Sequence, residues 1–359
     1  MIRPASPGGA RGPARGTHLL SLVSPALAAL ACSAQAGPAP GRAPLSPVES
    51  IELPDVGGRI DHLAVDLARG RLYVAALGND SVEVVDLDTG TWVRRLEDVP
   101  EAQGLVVLDD PDRLVVSSGE RGTCEIYDGA TLEHVATVSL GRDADNVRRD
   151  AGRGRVLVAY GDSLGTIDPA TWRTLAPVRL TGGHPEGFQL AADGARAYVN
   201  VPQDRAICVV DLERGAPAAT WKVEEAAANY PLLIAPAAPS SGEADLCLVG
   251  CRSPARLVVR ALPDGRPVAS LELSGDVDDL WYDARRKRVY AACGEGYIDV
   301  FERGSPDTGG VGVLGGRTRA ATSPGARTCL FVPERDRLYV AAPRRGGEPA
   351  RILIFAVED

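Results

Sequence analysis

Short apolar runs bounded by Gly, Asp and Asn recur along the chain at a nearly fixed spacing. One run marks each unit: Arg71-Leu72-Tyr73-Val74-Ala75, Arg113-Leu114-Val115-Val116-Ser117, Arg155-Val156-Leu157-Val158-Ala159, Arg196-Ala197-Tyr198-Val199-Asn200, Leu246-Cys247-Leu248-Val249-Gly250, Arg288-Val289-Tyr290-Ala291-Ala292 and Arg337-Leu338-Tyr339-Val340-Ala341. Their first residues lie 42, 42, 41, 50, 42 and 49 apart. A period of that size means one supersecondary unit copied, each copy too small to bury its own apolar face. The first unit shows its parts. Asp61 to Asp66 is a short apolar run turned by Ala68-Arg69-Gly70, and Leu72 to Ala76 is a second run. After Gly78-Asn79-Asp80, Val82 to Val85 forms a third, closed by Asp86, and Trp92 to Leu96 forms a fourth. Four short strands with Gly/Asp turns, repeated, predict an all-β, seven-bladed propeller of four-stranded antiparallel blades.

The units run over about 57–100, 101–141, 142–182, 183–225, 226–274, 275–318 and 319–359. The seventh stops at its third strand, Arg351 to Ala356, while a spare strand, Val48 to Leu53, precedes the first. The N-terminal strand is therefore expected to complete blade seven and close the ring, since an open ring exposes sheet edges. The fifth and sixth units carry longer loops, residues 235–242 and 304–310, rich in Pro, Gly, Ser and Ala. Asp86, Asp128, Asp168 and Asp211 close third strands in several units and read as turn caps. Trp92, Trp172 and Trp221 fall on expected fourth strands, and Trp281 on a first strand.

Tyr73-Val74-Ala75-Ala76, Tyr198-Val199-Asn200-Val201 and Tyr339-Val340-Ala341-Ala342, with Val84-Val85-Asp86 and Val209-Val210-Asp211 ending third strands, resemble the Tyr-Val-Thr-Asn repeat of bacterial exported propellers. The resemblance is to the YncE-like family and spans nearly all of the chain after its first segment, although no strict Tyr-Val-Thr-Asn copy is present. It implies a seven-bladed exported protein and places the ligand side at the face where the first strands enter the channel. Its motifs are packing and turn residues, so they specify fold and hardly touch function.

The N-terminal segment differs from the rest. Arg3, Arg11 and Arg15 precede a 13-residue apolar stretch, Leu19 to Ala31, and a small-x-small site, Ala34-Gln35-Ala36. This predicts a signal peptide over 1–36, a Pro/Gly/Ala linker over 37–47 and a propeller over 48–359, exported to the periplasm or secreted. Processing at Cys32 into a lipid anchor is the lesser alternative, because the expected Leu sits one place too late. No segment is long and apolar enough to span a bilayer. Losing three arginines and no acid takes the formal charge from −9 to −12, which argues against a nucleic-acid or anionic-membrane partner. The chain is expected to be monomeric. Cys124, Cys208, Cys247, Cys251, Cys293 and Cys329 sit at apolar strand positions without framework spacing, so they read as buried small hydrophobes with at most one disulfide.

Aligning the units on the marker strand places one residue per blade at the channel mouth: Asp61, Gln103, Asp145, Glu186, Tyr230, Asp278 and Arg327. The next column is His62, Gly104, Asn146, Gly187, Pro231, Asp279 and Thr328, and His184 lies two places before Glu186. Packing positions repeat between blades, whereas these differ and are nearly all polar. A water-filled channel explains polar residues with no further purpose. The binding reading gathers Asp61, His62, Gln103, Asp145, Asn146, His184, Glu186, Tyr230, Asp278, Asp279 and Arg327 around a small charged ligand, a protein partner or one divalent cation. A hard cation would use the carboxylates and a transition metal would add His62 or His184, while Arg327 can instead neutralise the acids. The alternative is a metal-assisted lactonase or lyase with His184 or His62 as base, Glu186 as partner and Arg327 at an oxyanion, as the lactonases and lyases among propellers resembling this one imply. No G-x-S-x-G elbow supports a serine hydrolase. An interaction scaffold using blade sides and loops is the third class. The leading expectation is non-catalytic binding at the mouth.

Overall fold

The computed structural model describes residues 43–239, 241–304 and 314–359. The segment read as a signal peptide, most of the linker, and all of the sixth-unit loop but Gly304 lie outside them. The described residues form seven small antiparallel sheets, a seven-bladed propeller. Blade one is Leu63–Asp66, Arg71–Ala76, Ser81–Asp86 and Thr91–Leu96, paired in that order. Five further blades repeat it, and the first strands of blades one and seven touch to complete the ring.

The marker strands are apolar throughout because both of their faces are covered. Side chains alternate across a strand. Leu72, Val74 and Ala76 enter the seam between blades seven and one, while Tyr73 and Ala75 enter the seam between blades one and two. Seven apolar clusters result, one for each pair of neighbouring blades. The six cysteines are buried free thiols in this packing. Fourth strands face water on one side, and Thr91–Leu96 is mostly exposed until Leu96. In blade three the fourth strand is split into Arg173–Thr174 and Val178–Arg179. Pro177, which has no N–H to give the ladder, lies in the gap. Trp172 is not on a strand for a separate reason: it closes the preceding turn with φ 54°, its N–H donating to Asp168 O at 2.7 Å, as Leu132 does in blade two.

Blade seven is completed as the strand count requires. Leu45–Glu52 pairs antiparallel with Arg351–Val357, from Leu45 opposite Val357 to Glu52 opposite Arg351. The strand starts three residues before Val48 because Leu45 drops into the seam between blades six and seven. Pro47 is tolerated there because this strand is the edge of its sheet. Beyond it, Leu53 is fully buried and its N–H donates to Ala350 O at 2.8 Å. Arg95 of blade one donates to Pro54 O at 2.6 Å, and Arg335 of blade seven donates to Asp88 of blade one at 2.6 Å.

The third-strand aspartates act as turn caps. Asp86 Oδ1 accepts from the N–H groups of Asp88 and Thr89, and Asp128, Asp168 and Asp211 accept from the corresponding turns. A second device uses an Asp and an Arg three residues on. Asp66 Oδ1 accepts from Arg69 N at 3.0 Å, and the Arg69 side chain reaches Asp112 of blade two at 2.5 Å. Asp150 and Arg153 do the same towards Gly194 and Glu213 of blade four, and Asp283 and Arg286 towards Asp336 of blade seven. Each couples an inner turn to the next blade.

Removing buried methyl groups from the closing segment is expected to destabilise the whole ring. Leu53→Ala should cost about 2–5 kcal/mol in urea unfolding, as a fully buried leucine does. A loss below about 0.5 kcal/mol would show that the seam closes without it.

Candidate functional site at the channel mouth

A repeated backbone irregularity builds the mouth. In blade one the N–H of Asp61 donates to Ala75 O at 2.7 Å and Ala75 N donates to His62 O at 3.0 Å, so two residues face one. Asp145 and Asn146 face Ala159 in the same way, and Glu186 and Gly187 face Asn200. In blades two, five and six the register jumps at Gln103-Gly104, Tyr230-Pro231 and Asp278. These are β-bulges, which bend a strand and re-aim its side chains. The bulges put Asp61, Gln103, Asp145, Glu186, Tyr230 and Asp278 at one structural level, as the alignment requires. Blade seven has no such bulge in its inner pairing, which begins with Thr328 opposite Ala341. Gly104 and Gly187 are needed at the second bulge position. A Cβ on Gly187 would lie 2.6 Å from Tyr230 O, and one on Gly104 would strike Asp145 O.

The bulges open on a cavity of about 580 Å³. Its lining combines Leu63, Leu105, Leu232, Leu280 and Leu330, from five different first strands, with polar side chains that include Arg148, Arg149 and Gln189. Above them lie Asp61, His62, Asp145, Asn146, Glu186, Tyr230, Asp278 and Asp279. Gln103, His184 and Arg327 do not line it. Gln103 turns aside to Asp143 Oδ1 at 3.4 Å, and His184 stands behind Asp145 and Glu186. Arg327 is taken by Asp276 Oδ1 at 2.9 Å and lies 3.8 Å from Asp278 Oδ2, which corrects its placing as a free oxyanion donor.

Charge is divided unevenly around the ring. On one side Asp278 is held by Arg252, whose guanidinium also lies 4.1 Å from the centre of the Tyr230 ring. Asp61 accepts from Arg59 at 2.7 Å, and His62 lies between Asp61 and Asp279 at 3.8 and 3.7 Å. On the other side, no hydrogen bond or ion pair to the Asp145 or Glu186 carboxylate is present among the described residues, although Asp145 is only 6% exposed. Their acidities reflect this. Burial, then the charge of Asp61, raises Asp145 to about 6. Burial, then Asp145 and Asp278, raises Glu186 to about 9, so it carries a proton at neutral pH. Asp278 is raised by burial against the opposing pull of Arg252. Burial works to lower His62, but its hydrogen bond with Asp279 and the charge of Asp61 prevail and hold it up to about 9.

Arg59, Asp143, Arg252 and Asp276 are site residues that the alignment did not single out. Three of them share a signal with His184. The column two places before the mouth reads Arg59, Glu101, Asp143, His184, Ala228, Asp276 and Gly325, a second layer polar in five blades. Arg252 has no such marker, since it comes from the end of a second strand in the neighbouring blade.

No protein-family model matches the chain, and no curated protein matches it in sequence. Solved structures do resemble it. A chain of Kuenenia stuttgartiensis hydrazine synthase is similar at 15% identity and TM-score 0.69, over 80% of this chain and 93% of that one. A chain of a mitotic checkpoint complex gives 14% identity and TM-score 0.70, over 89% and 96%. The Myceliophteria thermophila Cps50 (Swd1) beta-propeller domain gives 13% and 0.68, over 88% and 100%. At these identities the likeness concerns the propeller fold.

The mouth sets the pH dependence of stability above the ordinary carboxylate range. His62 is raised in the fold, so its contribution is complete below about 6.5 and is lost as pH rises through about 9. Asp145 and Glu186 keep protons that the unfolded chain has released, so stability falls in the same direction between about 4 and 9. The melting temperature of chelator-treated protein should drop from pH 5 to pH 9 by roughly 4 °C or more. Glu186→Gln should flatten that slope; an unchanged slope in the variant would remove Glu186 as a cause.

Proposed function

We propose that the protein is an exported, non-catalytic propeller that binds a small charged ligand in the mouth of its channel. One observation carries this reading: among the described residues, the buried or half-buried carboxyl groups of Asp145 and Glu186 have no hydrogen-bond or ion-pair partner, at the rim of a 580 Å³ cavity. A rigid rim of polar groups over a partly apolar chamber is the form of a small-molecule site. Water alone would fill a polar channel, but it gives no reason to bond Asp61 and Asp278 to Arg59, Arg252 and Arg327 while Arg148, on the other side, is bonded to Asn146 and not to Asp145 or Glu186. Export rests on the Arg3/Arg11/Arg15 segment, the Leu19 to Ala31 stretch and Ala34-Gln35-Ala36. Membership of the YncE-like group rests on the Tyr-Val repeats. The same fold serves in hydrazine synthase and in a checkpoint assembly, so it does not select between enzyme, binder and scaffold.

A panel of putrescine, choline and succinate, titrated calorimetrically into the protein at pH 7, tests the reading. At least one should bind with a dissociation constant below about 1 mM, and Asp145→Asn with Asp278→Asn should weaken it more than tenfold. Absence of heat with all three, from folded protein, would count against a ligand site. A second reading as a lactonase or lyase is favoured by the spread of acidities at the rim. Glu186 is protonated while Asp145 is largely ionised at neutral pH, the pattern of an acid and a base set apart by environment. Turnover of a lactone panel, lost in His184→Ala, would move the conclusion to it.

A further inference from the structure

The side of the ring built by blades three and four contains more than acids. Ligand atoms of Asp145, His184 and Glu186 lie within 4.8 Å of one another. His184 Nδ1 faces Gly161 O at 2.9 Å. A carbonyl only accepts, so Nδ1 donates and Nε2 is the nitrogen left to take a metal. Orientation of an imidazole by a backbone carbonyl is the usual support of a metal-binding histidine. Nε2 lies 3.4 Å from Asp143 Oδ2, to which it donates when protonated, and an ion bound at Nε2 takes the place of that proton. The Asp145 carboxylate is more than nine-tenths buried, lines the cavity, and has no hydrogen bond or ion pair among the described residues.

The backbone holds these groups in place. Asp145 and Glu186 occupy bulge positions whose N–H groups are bonded at 2.9 Å to Ala159 O and Asn200 O. His184 follows Gly182 and Gly183, at φ 101° and 118°, and a Cβ on Gly182 would lie 2.5 Å from that of Asp204. Only glycine fits a turn that brings the imidazole so close to the blade.

We propose that Asp145, His184 and Glu186 hold one divalent transition-metal ion, with its open positions facing the cavity. This rests on the reading of the mouth as a charged-ligand site and names the charge. One imidazole nitrogen with carboxylate oxygens suits zinc or manganese, whereas calcium and magnesium take oxygen alone. Three protein ligands leave room for a further one from the cavity side, the arrangement of open rather than closed zinc sites. Asp143 lies near enough to join through Nε2 or to bind the ion itself. The other ring acids are occupied: Asp61 by Arg59, Asp278 by Arg252, and Asp279 by His62 and the N–H of Cys329. One ion per chain follows.

The test is calorimetric titration of zinc, manganese, calcium and magnesium chlorides into the chelator-treated full chain. One equivalent of zinc or manganese should bind, and bind at least tenfold more tightly than calcium or magnesium. His184→Ala and the near-isosteric Asp145→Asn and Glu186→Gln should each weaken it at least tenfold. His134→Ala, on the outer edge of blade two, should leave it unchanged. Cobalt loading gives an independent readout, a visible absorption band that should be lost in His184→Ala. No binding by the folded wild-type chain, or binding unaltered by His184→Ala and Glu186→Gln, would overturn the proposal. If an organic ligand binds while no metal does, the metal assignment alone fails and the reading of the mouth stands.

Discussion

The ring depends on one strand pairing between its two ends. Each blade buries both faces of its inner strands against its neighbours, so no blade is a core by itself, and seven seams require seven neighbours. The seventh seam exists only because Leu45–Glu52 is the outer strand of the last sheet and Leu53 and Val56 continue into the cluster shared with blade one. The site inherits this constraint. Asp61 belongs to the first blade and Asp278 to the sixth, and they face one channel only when the ring is shut.

At the mouth, local geometry and long-range charge act together. The bulge supplies direction, putting two successive residues of an inner strand opposite one residue of the next. Electrostatics then decides which of these groups are satisfied. Arginines from blades one, five and seven occupy Asp61 and Asp278, while on the side built by blades three and four His184 stands near the two acids and Arg148 is bonded to Asn146 Oδ1 and Val147 O instead of to either of them. The raised pKa values of Asp145 and Glu186 reflect burial first and the neighbouring carboxylates second. They also make that side receptive to a cation.

Most of the fold was legible in the residues, because a strand covered on both faces must be apolar at every position. Tyr73 and Val74 point into different seams, and both must be hydrophobic. The missing fourth strand of the last unit likewise pointed to the N-terminal one. Trp172 was misplaced because it takes the left-handed turn position that Gly90 fills in blade one, which periodicity does not register. The ring column was readable by alignment as far as Asp278, as six blades share the bulge. It failed at Arg327, where the bulge is absent and the side chain turns to Asp276. The pairing of Arg252 with Asp278 was beyond such reading. Asp278 lies in the next blade, and only the packing of two sheets brings the two together.

The bulges have a consequence for how such a chain changes over time. The residue that each one turns into the channel lies outside the alternation that fills the seams, so the groups at the mouth contribute little to the apolar packing. Substitutions there can exchange acid for amide or histidine while the marker strands stay as they are, except at Gly104 and Gly187, where a neighbouring carbonyl leaves no room. The mouth is in effect a row of sockets on a fixed frame. Chains of this architecture can therefore diverge in what they recognise long before they diverge in shape, and sequence likeness along the strands is a poor guide to likeness of ligand.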